Sequence, residues 1–438
     1  MRPTLRTHGA VALTAVAVLA LSACGAGSKT TSATATQVAC DVPKPSTPTT
    51  VNVLAYNSSA IDPFTNTMVS SCTKNDWTLK HEPIDFPGQV QKTTATLAGA
   101  SGTYDIVETY GFVIPQYGSQ SKLAPLDDMF AKHAEAYKLN DISKDMRAAM
   151  TYDGKLYALP MQAQMYIMAY RKDVFDQVGL KPPTTFEEMK SAAKTIQEKA
   201  GIKYPIALPW LATGDIVTSY DCILGSLGTN MTNFDTKTAN FDKPQAKKAL
   251  EEMLALKPYM DPQVTTFAQP AVQQQMYNGT AAIAIMFSGR MNDLTLEKNS
   301  KFAKNFAFAP PPKVAADSPK LYDTLSVDGW SIPNNTAIDK DALFQMIASS
   351  VSVDASKASL PAAYPARTGM VSDTSSPYAA AANVSITQAP PAEPYPWTAS
   401  VSNKITPIIA NVVLGKATVD EGVAQMQAAA TEAIAAAK

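Results

Sequence analysis

Residues 153–188 read DGKLYALPMQAQMYIMAYRKDVFDQVGLKPPTTFEE. Asp153-Gly154 is a turn signal. Leu156 to Leu159 is an apolar run that stops at Pro160. Met165 to Tyr170 is apolar on both faces, as a central strand buried on both sides would be. Asp173 can cap a short helix that ends at Gly179. Pro182-Pro183 break the chain. Thr185 with Glu188 then forms a capping box for a longer helix, with Phe186, Met189, Ala193 and Ile196 on its apolar face.

Working outward toward the N-terminus, Thr50 to Tyr56 alternates like a strand, and a helix is expected across Thr67 to Lys74. A second strand is expected from Trp77 to Ile84, a helix from Gln89 to Leu97, and a third strand over Tyr104 to Val107. A β-α-β-α-β order implies a mostly parallel sheet. In open parallel sheets a ligand binds beyond the carboxyl ends of the strands. That logic puts Tyr56, Asn57, Glu108 and Tyr110 at the mouth of a site.

Toward the C-terminus, Val272 to Tyr277 reads as a helix closed by Gly279. Ala281 to Met286 is a buried strand that ends in Phe287-Ser288-Gly289. Ser326-Val327-Asp328-Gly329-Trp330-Ser331-Ile332 is a glycine-containing strand. Asp339 can cap the helix after it, and Thr418 with Glu421 forms a last capping box.

DGKLYALP followed ten residues on by YRKDVFDQVGLKPPTTFEE resembles the crossover segment of the extracellular solute-binding proteins of ABC transporters. The nearest resemblance is to the carbohydrate-binding family that includes the maltose-binding and polyol-binding proteins. With the later motifs it extends over roughly residues 50 to 435. It implies a two-lobe α/β fold of the periplasmic-binding-protein type. Each lobe is expected to be a mostly parallel sheet flanked by helices, with hinge crossovers between them. The implied division is 50–162 plus 288–326 for the first lobe and 163–287 plus 327–438 for the second.

Composition fits this reading. The chain has 438 residues, 46% of them hydrophobic and 17% charged, with a formal net charge of −1. Nothing in the charge pattern points to nucleic acid. The three histidines, His8, His81 and His133, are far apart, which argues against a histidine metal site or a Ser-His-Asp triad. No GxSxG, HExxH, P-loop or GxGxxG occurs. The expected protein is therefore a binding protein rather than an enzyme, with no cofactor and no metal.

Residues 1–23 read as a leader. Arg2 and Arg6 supply the positive end, and Ala10 to Leu21 is an apolar run too short to span a bilayer. Leu21-Ser22-Ala23-Cys24 looks like a bacterial lipobox, which implies lipidation of Cys24 and anchorage on the outer face of the cell membrane. Residues 24–49, rich in Ser, Thr, Ala and Pro, read as a flexible tether. Cys40 and Cys72 flank the first strand and can pair, whereas Cys222 falls in a helix-like run as a buried thiol.

A sugar or polyol site needs flat aromatics against CH faces and side chains with paired donors and acceptors for hydroxyls. Of the four tryptophans, the resemblance places Trp210, Trp330 and Trp397 on the cleft, whereas Trp77 begins a strand and reads as packing. Gln164 occupies the position, six residues before Tyr170, where an acid of the family can touch sugar. Arg367 falls where the family often has an Arg-containing turn, and Asp328 and Gly329 lie on the strand that crosses between lobes. Asp105, within a strand, suits a structural or a ligand-facing role equally. Arg290-Met291 stands where sugar binders often carry a Trp.

The expected function is capture of a sugar or polyol between two closing lobes and its delivery, by a monomer, to the permease of an ABC importer. Two alternatives stand beside it. A polyamine or other cationic ligand on the same fold would need several carboxylates in the cleft. A secreted carbohydrate-active enzyme would need two functional carboxylates across one pocket.

Overall fold

The computed structural model describes residues 35–437 apart from Pro391 and Pro394. The leader, Cys24 and the first part of the expected tether lie outside these residues. β1 (Thr49–Leu54), α1 (Asp62–Cys72), β2 (Trp77–His81), α2 (Phe86–Ala98) and β3 (Ile106–Tyr110) follow in order. β1 pairs in parallel with both β2 and β3. α1 begins before Thr67, because Asp62-Pro63 opens it. The Asp85 carboxylate caps α2 by accepting from Gly88 N. β3 runs three residues beyond its expected end because Leu325–Ser331 pairs antiparallel along it, so Glu108 and Tyr110 lie within the strand.

Leu156 pairs in a separate short hairpin with Thr151, whereas the second apolar run of the crossover segment belongs to a strand, Leu159–Arg171, that begins at the last residue of the first run. Its first part pairs with Leu325–Ser331 and its second with Ile283–Phe287 and Phe306–Ala309. Pro160 does not stop it. Pro160 lies opposite Gly329, where the neighbouring strand shifts register between Asp328 and Gly329. The ladder is already interrupted there, and a proline's missing N–H is tolerated at such a bulge. A Cβ on Gly329 would lie 2.6 Å from the Leu159 carbonyl oxygen, so close backbone approach requires glycine. The continuous sheet runs β2, β1, β3, Leu325–Ser331, Leu159–Arg171, Ile283–Phe287, Ile206–Ala207.

The crossing strand therefore joins two cores. Met161 and Met165 pack in the first with Phe64, Ile106, Trp330 and Phe344. Beyond Met165 successive side chains alternate. Ile167 and Ala169 face the first core, whereas Tyr166 and Met168 face the second with Phe186, Trp210, Leu250 and Ile285. Residues after 326 do not all follow the expected division. Trp330, Phe344, Ile347, Ala363 and Ala382 pack in the first core, and the chain rejoins the second only by Trp397, Ile409 and Met426. The reason is the insertion of Leu325–Ser331 between β3 and the crossing strand, which pulls the helix Lys340–Ser350 onto α1. Conversely Val314 and Tyr322, expected with the first lobe, sit in the second core.

The described part of the expected tether is held rather than free. Cys40 and Cys72 form a disulfide, Val38 N donates to Ser71 Oγ at 3.1 Å, and Trp77 Nε1 donates to the Pro43 carbonyl at 2.9 Å. Cys222 is a buried free thiol. Thr185 Oγ1 accepts from Glu188 N, but the Glu188 carboxylate returns to Thr184 rather than closing the box on Thr185. The box of Thr418 and Glu421 is complete. Among the described residues no helix is long and apolar enough to cross a membrane.

Candidate functional site

A cleft of about 2060 Å³ opens between the two lobes. Its first wall comes from the loop after β1, the start of α2 and the loop after β3. Its second wall comes from residues 211–218, Gln269, Phe287, Arg290 and the stretch around Glu393. The strands that cross between the lobes supply the floor through Gln164 and Asp328.

The floor is a closed set of hydrogen bonds around one carboxylate. Gln164 Nε2 donates to Asp328 Oδ2 at 2.6 Å, Gln162 Nε2 donates to the same oxygen at 3.0 Å, and Ser326 Oγ donates to Oδ1 at 3.3 Å. Burial pushes Asp328 up to about 6, against the opposing pull of those three donors. Gln164 Nε2 also reaches the Tyr56 hydroxyl at 3.4 Å. Beneath Tyr56, fully buried Glu108 accepts from Tyr56 N at 3.0 Å. Burial, and then the Asp328 charge, hold Glu108 well above the ordinary carboxylate range. Two buried acids thus lie near each other, and the Asp328 charge opposes ionisation of Glu108. Asn57 Nδ2 donates to Asp62 Oδ1 at 3.3 Å, while Asn57 Oδ1 has no partner among the described residues.

Aromatic rings line the first wall in a row. Tyr56 meets Phe86 edge-on at 5.7 Å between centroids, Phe86 meets Tyr110 at 5.3 Å, and Tyr110 stacks on Phe112 at 5.5 Å with 9° between planes. Phe86 and Phe112 are each 43% exposed, an unusual state for phenylalanine that leaves ring surface open to a ligand. Tyr110 is fixed from behind, its hydroxyl donating to Gln89 Oε1 at 3.1 Å.

The second wall is charged. Arg290 NH1 donates to Gln273 Oε1 at 3.2 Å. Burial pushes Asp215 up to about 6, with the Arg290 charge pulling it back. Asp221 and Glu393 are raised chiefly by burial, and Asp221 further by the Glu393 charge. Ser59 Oγ holds the segment after Ser288 against the loop after β1, donating to Asp293 Oδ2 at 3.0 Å and lying 3.2 Å from the Gly289 carbonyl. Among the described residues no group of three or more His, Cys, Asp or Glu is placed to hold a metal ion.

Of the residues singled out from sequence, Tyr56, Asn57, Tyr110, Gln164 and Asp328 line the cleft. The other six lie elsewhere. Trp210 and Trp330 are fully buried in the second and first cores, because both project from tightly packed segments where a large apolar ring fills space. Trp397 is buried, its Nε1 donating to Thr232 Oγ1 at 3.1 Å. Arg367 is spent on backbone. Its Nε donates to Val351 O at 2.6 Å, NH1 to Lys138 O at 2.7 Å and NH2 to Tyr137 O at 2.8 Å. Asp105 accepts from Asn52 N at 2.9 Å and from Thr336 Oγ1 at 2.7 Å, a structural tie. Gly329 serves backbone packing, as described above.

A two-lobe fold with a cleft on the strands that join the lobes suits capture of a solute, and comparison with known proteins agrees. The family described as bacterial extracellular solute-binding protein matches residues 75–349. The chain belongs to that family. As a family member it is an extracytoplasmic binding protein, not an enzyme. The mannitol-binding protein of Pseudomonas aeruginosa is 27% identical over 227 residues, 50% of this chain and 51% of that protein. The melibiose/raffinose/stachyose-binding protein of Bacillus subtilis is 29% identical over 136 residues, 31% of this chain and 30% of that protein. The chain spans about half the length, or less, of the curated relatives it matches. The fold match is wider. A solute-binding protein of Agrobacterium vitis S4 with bound D-mannitol superposes with a TM-score of 0.76 at 23% identity, covering 87% of this chain and 97% of that one. One of Agrobacterium radiobacter K84 in complex with ribitol gives 0.77 at 19% identity, covering 90% and 100%.

The residues of this solute-binding protein that sequence reading passed over are Phe86, Phe112, Asp215, Asp221 and Glu393. Phe86 opens α2 ahead of Pro87-Gly88, and Phe112 follows Gly111 in a turn after β3. A phenylalanine at such an element boundary is the one signal that could have found them. Asp221 lies mid-helix in Asp215–Ser226, and Glu393 in a Pro-rich stretch. Neither has a local pattern that marks it.

Proposed function

We propose that this solute-binding protein captures a sugar or polyol between its lobes and delivers it to an ABC importer. It would work as a monomer, held on the outer face of the membrane by lipid on Cys24. The observation that carries the ligand class is the pairing of an open aromatic row with a hydrogen-bonded carboxylate. Phe86 and Phe112 expose ring surface to the same cleft that Asp328 and Gln164 line. Rings cover the CH face of a polyhydroxylated ligand, and a carboxylate with amides accepts from and donates to its hydroxyls. Mannitol, ribitol and the melibiose series named for its relatives and structural neighbours belong to this chemistry.

Closure would turn on the crossing strand Leu159–Arg171 and on the segments that return near Ser288 and Thr324. A ligand drives closure only by binding the closed state better. The test is a thermal-shift screen of the full chain against alditols, mono- and oligosaccharides. A ligand that binds only the folded state must raise the midpoint in step with concentration. A graded rise with a polyol or sugar, followed by calorimetric binding near one per chain, is the expected result. No response to any hydroxylated compound overturns the reading.

A further inference from the structure

A small cavity of about 30 Å³ opens off the second wall of the cleft. Asp221, Thr324, Leu325, Ala392 and Glu393 line both spaces, so the small cavity adjoins the cleft. That volume suits one non-hydrogen group. Three acidic residues from three separate segments line it: Asp221, Asp323 and Glu393. Asp323 is 1% exposed, and its Oδ1 accepts from Tyr166 N and Thr324 N, both at 2.7 Å. Its Oδ2 has no partner among the described residues. Glu393 is 8% exposed and accepts from Met231 N, Thr232 N and Thr232 Oγ1. Among the described residues none of the three pairs with a Lys or Arg side chain.

Buried carboxylates are costly when ionised, and an ammonium group placed among them would offset that cost. The three acids are not spaced to hold a metal ion. An ammonium suits wider spacing, because its three N–H donors reach separate acceptors at about 2.8 Å. We propose that this annex, walled by Asp221, Asp323 and Glu393, receives a primary ammonium group of the bound solute. The solute is then an amine-bearing hydroxylated compound, an amino sugar or amino polyol. This rests on the reading of the cleft as a sugar or polyol site and names the class within it.

The test compares matched probes on the full chain by calorimetry: D-glucitol, 1-amino-1-deoxy-D-glucitol and putrescine. The amino alditol is expected to bind about tenfold or more tighter than D-glucitol, as a charge-assisted bond allows. Asp221→Asn should bring the two within about threefold, and Glu393→Gln serves as the second variant if Asp221→Asn does not fold. Equal affinity for the matched pair overturns the annex and leaves the hydroxylated-ligand reading standing. Putrescine binding that Asp221→Asn removes, with silence from D-glucitol, supports the annex and sinks the sugar reading instead. Silence from both amines overturns the annex.

Discussion

Gln164 Nε2 lies 2.6 Å from Asp328 Oδ2, joining the strand that runs through both cores to the strand beside it. The bond ties a hinge strand to the cleft floor. Asp328→Ala would leave the amides of Gln162 and Gln164 without their shared acceptor and remove the one carboxylate on the floor. A lost charge-assisted bond is worth about 1.5–3 kcal/mol. Kd for the hydroxylated ligand should rise roughly 10- to 100-fold. Calorimetry on the folded variant checks this, and an unchanged Kd would remove Asp328 from the site.

The exposed rings should behave differently from the core ones. Phe86 and Phe112 are nearly half exposed, so Phe86→Ala and Phe112→Ala should cost less than about 1 kcal/mol of stability. If the rings cover a ligand face, each truncation should still weaken binding by about 1 kcal/mol, roughly fivefold. The two numbers come from a melting curve and a titration on the same sample. Loss of stability with no loss of affinity would assign the row to packing.

Arg367 gives the reverse case. Its guanidinium satisfies the carbonyls of Val351, Lys138 and Tyr137, and Lys cannot make that planar three-way set. Arg367→Lys should therefore lower stability by about 2–4 kcal/mol, because buried carbonyls lose their donors. Kd of the remaining folded protein should stay within twofold. A chemical denaturation series beside a titration separates the effects, and a weakened Kd at unchanged stability would return Arg367 to a ligand role.

These contrasts show where sequence is legible. The crossover segment could be read because Asp153-Gly154, Gly179, Pro182-Pro183 and the Thr185 cap are local signals with local causes. Strand-end logic led to Tyr56, Asn57 and Tyr110 because the loops after β1 and β3 do face the cleft. The tryptophans misled because bulk serves a core and a sugar site alike, and only packing decides which. Pro160 read as a stop because its tolerance depends on Gly329, far away in the chain. Asp221, Asp323 and Glu393 were invisible as a set because only tertiary folding brings three segments together.

The disulfide predicts a separate, local effect. Cys40 and Cys72 are 32 residues apart and close a loop containing β1 and α1. Closing a loop of that length stabilises by about 3–4 kcal/mol through the unfolded chain. Cys40→Ser with Cys72→Ser should lower stability by about that amount and raise amide exchange across residues 35–48. The closed loop carries Tyr56 and Asn57 of the cleft wall, but Tyr56 is also held by Glu108 and Gln164 from outside it, so Kd should change little. Unaltered exchange in 35–48 would mean that the hydrogen bonds of Val38 and Trp77 suffice to hold the segment.

Acid should move stability and affinity in opposite directions. Asp328 is held up to about 6 by burial, and its charge is felt by Tyr56, Glu108 and Tyr110. Its unfolded value is about 3.9. Between those values the folded state binds more protons than the unfolded chain, so the Asp328 contribution falls as pH rises from about 4 through 6 and levels off above, while Glu393 at about 7 and Asp221 at about 8 carry the fall to higher pH. The shift of about two units corresponds to roughly 1–3 kcal/mol. Asp215, also at about 6, adds in the same direction. Acids held below their ordinary range, such as Asp173 and Asp341, destabilise only nearer pH 4. The unliganded midpoint should therefore be higher at pH 5 than at pH 7.5, and Asp328→Asn should flatten that difference. Ligand hydroxyls, however, donate best to an ionised Asp328. Below pH 6 its protonation should raise Kd up to about tenfold per unit. Melting midpoints and Kd recorded across pH 5–8 check both slopes. Parallel slopes, or a Kd that ignores pH in the parent chain, would mean that Asp328 does not accept from the ligand.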